Sequence, residues 1–316
     1  MHIFRQALLT LVTLLLIIYV GLIAYAYWPH GEEIPVAELA HKDDLFITID
    51  GIQLRYQTWG APQAGQPAIV LIHGFANSAF TFRNLGPLLG NDYYTLALDM
   101  PGFGLSDKPD DHDYSNASQA NIIKGFIKAL GLKQVVIGGH SMGGAHAVHV
   151  AIDAPEAVGA ILLNPGIITT GVPPVTQYLF FPLPRIAAKT FADRQFRERF
   201  IKNSFVNPEL ITEEVMDELM LVNKTEGYMD GATQLMSYYV AGNEIEMLDD
   251  LHVPVLIVWG AQDSNKPAGE AEQLQGLIAN SKLVLVDDAG HYVHVEAPEE
   301  SAAAIRDAKG FWAKQR

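Results

Sequence analysis

Apolar residues fall along this chain in three rhythms. The first is an unbroken run, residues 7–28 (ALLTLVTLLLIIYVGLIAYAYW), which carries no charged side chain and as a helix is long enough to cross the hydrocarbon core of a bilayer. The second is a series of short blocks, 46–49, 52–56, 68–72, 95–98, 135–137, 158–163, 255–259 and 283–286, bounded by Gly, Pro, Asn or Asp. Asp50-Gly51 joins the first two as a hairpin turn. The later blocks lack polar alternation, as strands covered on both faces do. The third rhythm is helical spacing, over the stretch up to about 90, over 116–130, after 141 to about 153, and from about 298 to the C-terminus. Strands alternating with helices predict an α/β protein with a mostly parallel sheet and helices on both faces.

One stretch departs from this order. Between Pro165 and about Asp250 the strand blocks stop; Pro173, Pro174, Pro182 and Pro184 interrupt its first part, and 201–223 and 232–241 read as helices. A structureless loop of that length is unusual in a compact domain. A helical insertion on the edge of the sheet formed by the strands' C-terminal ends, where ligands bind in open α/β folds, is the expected arrangement. The apolar segment 178–184 is expected to pack within the insertion, with pocket lining or membrane contact as the alternatives.

Composition removes several classes of function. The 316 residues hold 36 acidic and 21 basic side chains, a net charge of −15, so no basic face for nucleic acid is expected. There is no cysteine, which rules out disulfides, thiolate metal sites and cysteine nucleophiles. At the N-terminus Arg5 precedes the apolar run and Glu32-Glu33 follow it, a charge bias that places the bulk of the chain outside the cytoplasm. The run exceeds the 7–15 residues typical of a signal-peptide core, so an uncleaved anchor is expected. Cleavage after Ala24-Tyr25-Ala26, giving a secreted or periplasmic protein, is the alternative.

The candidate chemistry begins at Gly139-His140-Ser141-Met142-Gly143, a G-x-S-x-G between a predicted strand and a predicted helix. The sharp turn needs residues without a Cβ on either side, Gly139 and Gly143, and presents the Ser141 hydroxyl beside free helix N–H groups. A serine nucleophile needs a base, and the base an orienting acid. His291 lies just past the last predicted strand, and Asp263 just past the strand at 255–259, so both reach the edge that carries Ser141. Asp287 and Asp288 sit too near His291 along the chain. Asp99 runs into a Pro-Gly turn that it is expected to brace. His146-x-x-His149 has no companion acid in the sequence, so no metal site is expected there. The order Ser141, Asp263, His291 is the one that accompanies this kind of elbow. Oxyanion donors are expected from the Met142 N–H and from the loop after 68–72, where Phe75 follows the flexible Gly74.

Five motifs, in matching order, resemble the α/β-hydrolase fold superfamily: His73-Gly74-Phe75, Asp99-Met100-Pro101-Gly102-Phe103-Gly104, Gly139-His140-Ser141-Met142-Gly143-Gly144, Trp259-Gly260-Ala261-Gln262-Asp263 and Gly290-His291. The resemblance implies an eight-stranded, mostly parallel sheet with a helical cap after the sixth strand, and a triad of Ser141, Asp263 and His291. His73, Gly74, Gly139, His140 and Gly143 would then support the elbow and the oxyanion loop. The resemblance covers roughly Leu45 to the C-terminus and, joined to the reading of the N-terminal run, divides the chain into an anchor at 1–30, a tether at 31–44, a core at 45–165 and 251–316, and a cap at 166–250. A serine elbow behind a membrane anchor is most similar to bacterial esterase/lipase and monoacylglycerol-lipase-like members. The expected activity is hydrolysis of carboxylic esters of apolar acyl groups, on small molecules and without cofactor or metal. A C–C bond hydrolase or cofactor-free perhydrolase on the same triad is the enzymatic alternative, and a ligand-binding module on the same fold the non-enzymatic one.

Overall fold

A computed structural model describes residues 2–238, 240 and 242–312. The apolar run forms α1 (His2–Ala26), whose side chains are exposed or half-exposed until Ala26. After a short α2 (Val36–Leu39) come the hairpin strands β1 (Leu45–Ile49) and β2 (Ile52–Trp59), then β3 (Ala68–Ile72), α3 (Leu85–Gly90), β4 (Thr95–Leu98) and α4 (Asn116–Ala129). Next are β5 (Val135–His140), α5 (Met142–Asp153) and β6 (Ala157–Leu163). Five helices then follow before the next strand: α6 (Leu183–Ala192), α7 (Arg194–Lys202), α8 (Glu213–Leu219), α9 (Tyr228–Tyr238) and α10 (Glu244–Met247). The chain closes with β7 (Val255–Gly260), α11 (Ala268–Leu277), β8 (Ser281–Val286), α12 (Val293–Glu296), α13 (Pro298–Asp307) and α14 (Lys309–Trp312).

The eight strands form one sheet in the order β1-β2-β4-β3-β5-β6-β7-β8. β2 is antiparallel to both β1 and β4, and every other pairing is parallel. Alternate residues of the central strands feed opposite faces, as the two-residue period requires. Val70, Ile72, Val135 and Ile137 pack with Ile123 and Phe126 of α4 and Val148 of α5. Ile69, Leu71 and Val136 pack with Leu85 and Leu89 of α3, Ile305 of α13 and Trp312 of α14. The second face fits closely at Gly159 of β6, where an added Cβ would overlap the Trp312 indole.

Three sequence expectations need correction. The single helix expected over 201–223 is instead the end of α7, a turn and α8. Asn203 caps α7, the Asn207 side chain accepts from the Glu209 N–H, and Pro208 has no N–H with which to continue a helix. α6 occupies a stretch expected to be broken by prolines; Pro184 sits in its first turn, where the missing N–H has no intrahelical role. The C-terminal helix is divided at Ala308 into α13 and α14. The expected helix over 232–241 corresponds to α9, and its residues 239 and 241, like 313–316, lie outside the described residues.

Candidate active site

Four of the parallel strands bring the predicted residues to one edge. β5 ends at His140 and α5 starts at Met142, so Ser141 makes the whole turn alone, with φ 51° and ψ −116°. That backbone is strained for a residue with a Cβ. It is held by hydrogen bonds from the Ser141 N–H to the Leu163 carbonyl, and from the Gly144 and Gly166 N–H groups to the Ser141 carbonyl. Glycine is required on both sides. A Cβ on Gly139 would overlap the Gly143 carbonyl, and one on Gly143 would overlap the Ile72 carbonyl.

The loop after β7 carries Asp263 and the loop after β8 carries His291. The His291 Nε2 lies 3.0 Å from Ser141 Oγ, and its Nδ1 lies 2.8 Å from Asp263 Oδ2. Asp263 Oδ2 also accepts from Asn164 Nδ2 at 2.8 Å, while Oδ1 accepts the Asn265 and Lys266 N–H groups at 2.8 and 3.0 Å. Burial alone would raise this carboxyl's pKa. The hydrogen bond and charge of His291, together with the two backbone donors, outweigh it and hold the group below the usual carboxylate range. The pKa of the His291 ring lies below its ordinary value: burial is the main cause, and the nearby Lys266 charge adds to it against the opposing pull of Asp263. The ring is therefore neutral near pH 7, with Nδ1–H facing the carboxylate and the bare Nε2 facing the hydroxyl.

Phe75 and Ser141 line the same cavity, of about 340 Å³. The loop after β3 comes close because Gly74 has no side chain: an added Cβ would lie 2.8 Å from His140 Nδ1 and 3.1 Å from Ser141 Cβ. His73 fixes that loop, donating from Nδ1 to the Gly74 carbonyl and accepting the Met100 N–H at Nε2. Met142 opens α5, where first-turn N–H groups have no intrahelical acceptor. His140 is fully enclosed, which lowers its pKa well below the ordinary value. Its Nε2–H donates to the His291 carbonyl at 2.9 Å and so positions the His291 backbone.

Several contributors were not found from sequence. Asn164, at the end of β6, bridges Asp263 to the Gly260 N–H. Arg197 of α7 is buried and donates to the Ala76 carbonyl, tying the helices between β6 and β7 to the loop that carries Phe75. Ser204 accepts the His291 N–H at 3.0 Å through its carbonyl. These contacts join segments 60 or more positions apart, which local patterns do not encode. The companion acid missing beside His146 and His149 also exists at a distance: Glu244 Oε1 lies 3.0 Å from His149 Nε2. Even so, the described residues contain no group of three or more potential metal ligands. Asp99 braces its turn as expected, accepting the Ala79 and Leu105 N–H groups.

A hydroxyl, a neutral imidazole and a carboxylate in this sequence of hydrogen bonds can pass the hydroxyl proton to the ring as the oxygen attacks an electrophilic carbon. A family model for the alpha/beta hydrolase fold matches residues 67–298. The chain is 29% identical over 263 residues to the uncharacterized hydrolase YugF of Bacillus subtilis (strain 168), covering 83% of this chain and 96% of that one. Among solved structures it is similar to a membrane phospholipase A described as a bacterial virulence factor. There the TM-score is 0.68 at 22% identity, covering 99% of this chain and 100% of that one. It is also similar to a thermophilic esterase from Thermogutta terrifontis, with a TM-score of 0.70 at 24% identity over 86% of this chain and 99% of that one.

Proposed function

Because the chain belongs to the alpha/beta hydrolase fold family, we propose that it is a serine hydrolase of carboxylic esters that works through an acyl-enzyme on Ser141. The observation that carries this reading is the continuous relay from Ser141 Oγ through His291 to Asp263. As Oγ bonds to the ester carbon, its proton passes to His291 Nε2, and the carbonyl oxygen becomes an oxyanion facing the Phe75 and Met142 N–H groups. The carbon–oxygen bond to the alcohol then breaks, and His291 returns the proton to the departing oxygen. Water, deprotonated by the same nitrogen, attacks the acyl carbon and releases the acid and the free serine. Asp263 stays ionised throughout and stabilises the imidazolium.

A lipid or other apolar acyl ester is the substrate class this reading favours, with 166–250 acting as a cap over the site and α1 as an anchor. α1 is long and apolar enough, by length and composition, to cross a membrane. Its end is bound to α6: Lys189 Nζ donates to the Tyr25 and Trp28 carbonyls at 2.9 and 2.7 Å, and Arg185 Nε donates to the Ala26 carbonyl at 3.2 Å. The segment 178–184 does not pack wholly within the insertion as its sequence suggested: Tyr178, Phe180 and Phe181 are exposed, as is Val175, and Tyr19 of α1 donates to the Phe181 carbonyl. Aromatic and apolar side chains beside the end of a span belong at a bilayer surface. The membrane phospholipase A is similar over 99% of this chain, a span that takes in α1. The charge bias around the span favours a catalytic part outside the cytoplasm.

Two measurements test this reading. The full-length protein should stay with membranes through a carbonate wash, react with a fluorophosphonate, and hydrolyse p-nitrophenyl and monoacylglycerol esters with a burst of acyl-enzyme. A folded protein that neither labels nor turns over any ester overturns the hydrolase reading, and a mature N-terminus at Tyr27 replaces the anchor by a cleaved signal. The pH profile supplies the second measurement. Only the neutral His291 ring can accept the serine proton, and its folded-state pKa lies below 6.5. kcat/KM should therefore be level near neutrality and fall on acidification through a midpoint below 6.5. A midpoint above that value contradicts the assignment of His291.

A further inference from the structure

Lys266 is a buried cation that the relay does not use. It follows Asp263 by three positions, is 2% exposed, and lines the cavity of about 340 Å³ that also holds Ser141 and His291. Its backbone is fixed on both sides: the N–H donates to Asp263 Oδ1, and the carbonyl accepts Trp259 Nε1–H at 3.1 Å. The side chain therefore leaves the loop in one direction. A Cβ placed on Gly171, another cavity-lining residue, would lie 3.6 Å from Nζ, so the ammonium stands at the cavity wall.

Among the described residues this ammonium has no hydrogen-bond acceptor and no carboxylate at ion-pair distance. Its nearest negative neighbours, Asp263 and Glu270, are already engaged. Asp263 receives four donors, and Glu270 accepts the Thr169 N–H and hydroxyl at 3.0 and 2.7 Å. Burial accordingly holds the Lys266 pKa below the ordinary lysine range. The chain treats another of its buried lysines differently: Lys108 Nζ donates to the Ser106 carbonyl at 2.7 Å. An unpaired buried charge is expensive unless something arrives to pair it, and Lys266 opens onto the space where a substrate would sit.

The cavity also indicates which part of the substrate brings that partner. It contains His291, which must protonate the departing alcohol, whereas a smaller cavity of about 50 Å³ beside Ser141, lined by Met142, Ala145 and Leu235 together with Gln119, His146 and Glu244, does not include His291. We propose that Lys266 recognises an anionic oxygen group, phosphate or carboxylate, on the alcohol part of the ester. The preferred substrates are then acyl esters of anionic alcohols. This rests on the reading of Ser141 as the nucleophile.

Matched ester pairs test it on the full-length protein. Hexanoyl glycerol phosphate is compared with hexanoyl glycerol, and hexanoyl glycolate with its uncharged amide, in wild type, Lys266→Met and Lys266→Arg. A charge-assisted hydrogen bond corresponds to a preference of about 10- to 100-fold. Wild type should favour the anionic member of at least one pair by that factor in kcat/KM. The anionic-to-neutral ratio should collapse in K266M and recover in K266R. A preference in the first pair alone identifies phosphate, and in the second alone carboxylate. An unchanged ratio in K266M, with both members falling together, would assign Lys266 a purely structural role and overturn the proposal. Calorimetric binding of glycerol 3-phosphate and glycolate to Ser141→Ala, with and without Lys266→Met, separates this from the hydrolase reading. If no ester is turned over, the Ser141 reading fails. Binding lost with Lys266 still supports the anion site, and equal binding by both proteins, or none by either, rejects it.

Discussion

Ser141→Ala should lower kcat for ester hydrolysis by about 10⁴–10⁶ and abolish fluorophosphonate labelling. The loss comes from chemistry alone. The serine hydroxyl bonds only to His291 Nε2 among the described residues, while the turn is held by backbone groups that alanine also has. Alanine carries the same Cβ at φ 51°, so the strain of the elbow is unchanged. The thermal midpoint should move little. A folded S141A protein with wild-type turnover refutes the nucleophile assignment.

Asp263→Asn should lower kcat by about 10⁴ with a smaller effect on KM, and it should also destabilise the protein. All four groups that bond to the carboxylate are donors: His291 Nδ1, Asn164 Nδ2 and two backbone N–H groups. An amide offers one acceptor and one donor, so either orientation points its NH₂ at N–H groups. With the oxygen toward the two backbone donors, the NH₂ faces His291 and favours the tautomer with a bare Nδ1. Nε2 then carries the proton and cannot accept the one from Ser141. The unmatched Asn164 amide adds a cost of about 1–3 kcal/mol, read as a drop in Tm. If D263N is nearly silent and Asp287→Asn or Asp288→Asn produces the loss, the orienting acid is misassigned.

How much of this was legible depends on what each residue answers to. β3 and β4 match their apolar blocks at both ends, because a strand buried on both faces shows as continuous apolar sequence. β2 runs three residues beyond its block, since Gln57, Thr58 and Trp59 pair with β4 by backbone bonds that do not demand apolar side chains. The order of the strands is set by packing across the sheet and leaves no local mark. Between β6 and β7 the signals were present but ambiguous: Asn207-Pro208 starts the turn that separates α7 from α8, whereas Pro184 lies inside the start of a helix. Ser141, Asp263 and His291 could be picked out because each lies in a loop just after a strand. Asn164, Arg197, Ser204 and Lys266 could not, because their significance lies in what stands opposite them in space.

The glycines of the elbow have a consequence for how this sequence can vary. A Cβ at Gly159 would collide with the Trp312 side chain, and a smaller residue at 312 could make room, so the two positions can change as a pair. At Gly139 and Gly143 the obstacle is a backbone carbonyl, of Gly143 and Ile72 respectively. Every amino acid supplies that same oxygen. No substitution elsewhere can act as a suppressor by shrinking it, and relief would require moving β3 or α5 itself. The turn that presents Ser141 is therefore closed to compensated change, while the packing behind the sheet remains open to it.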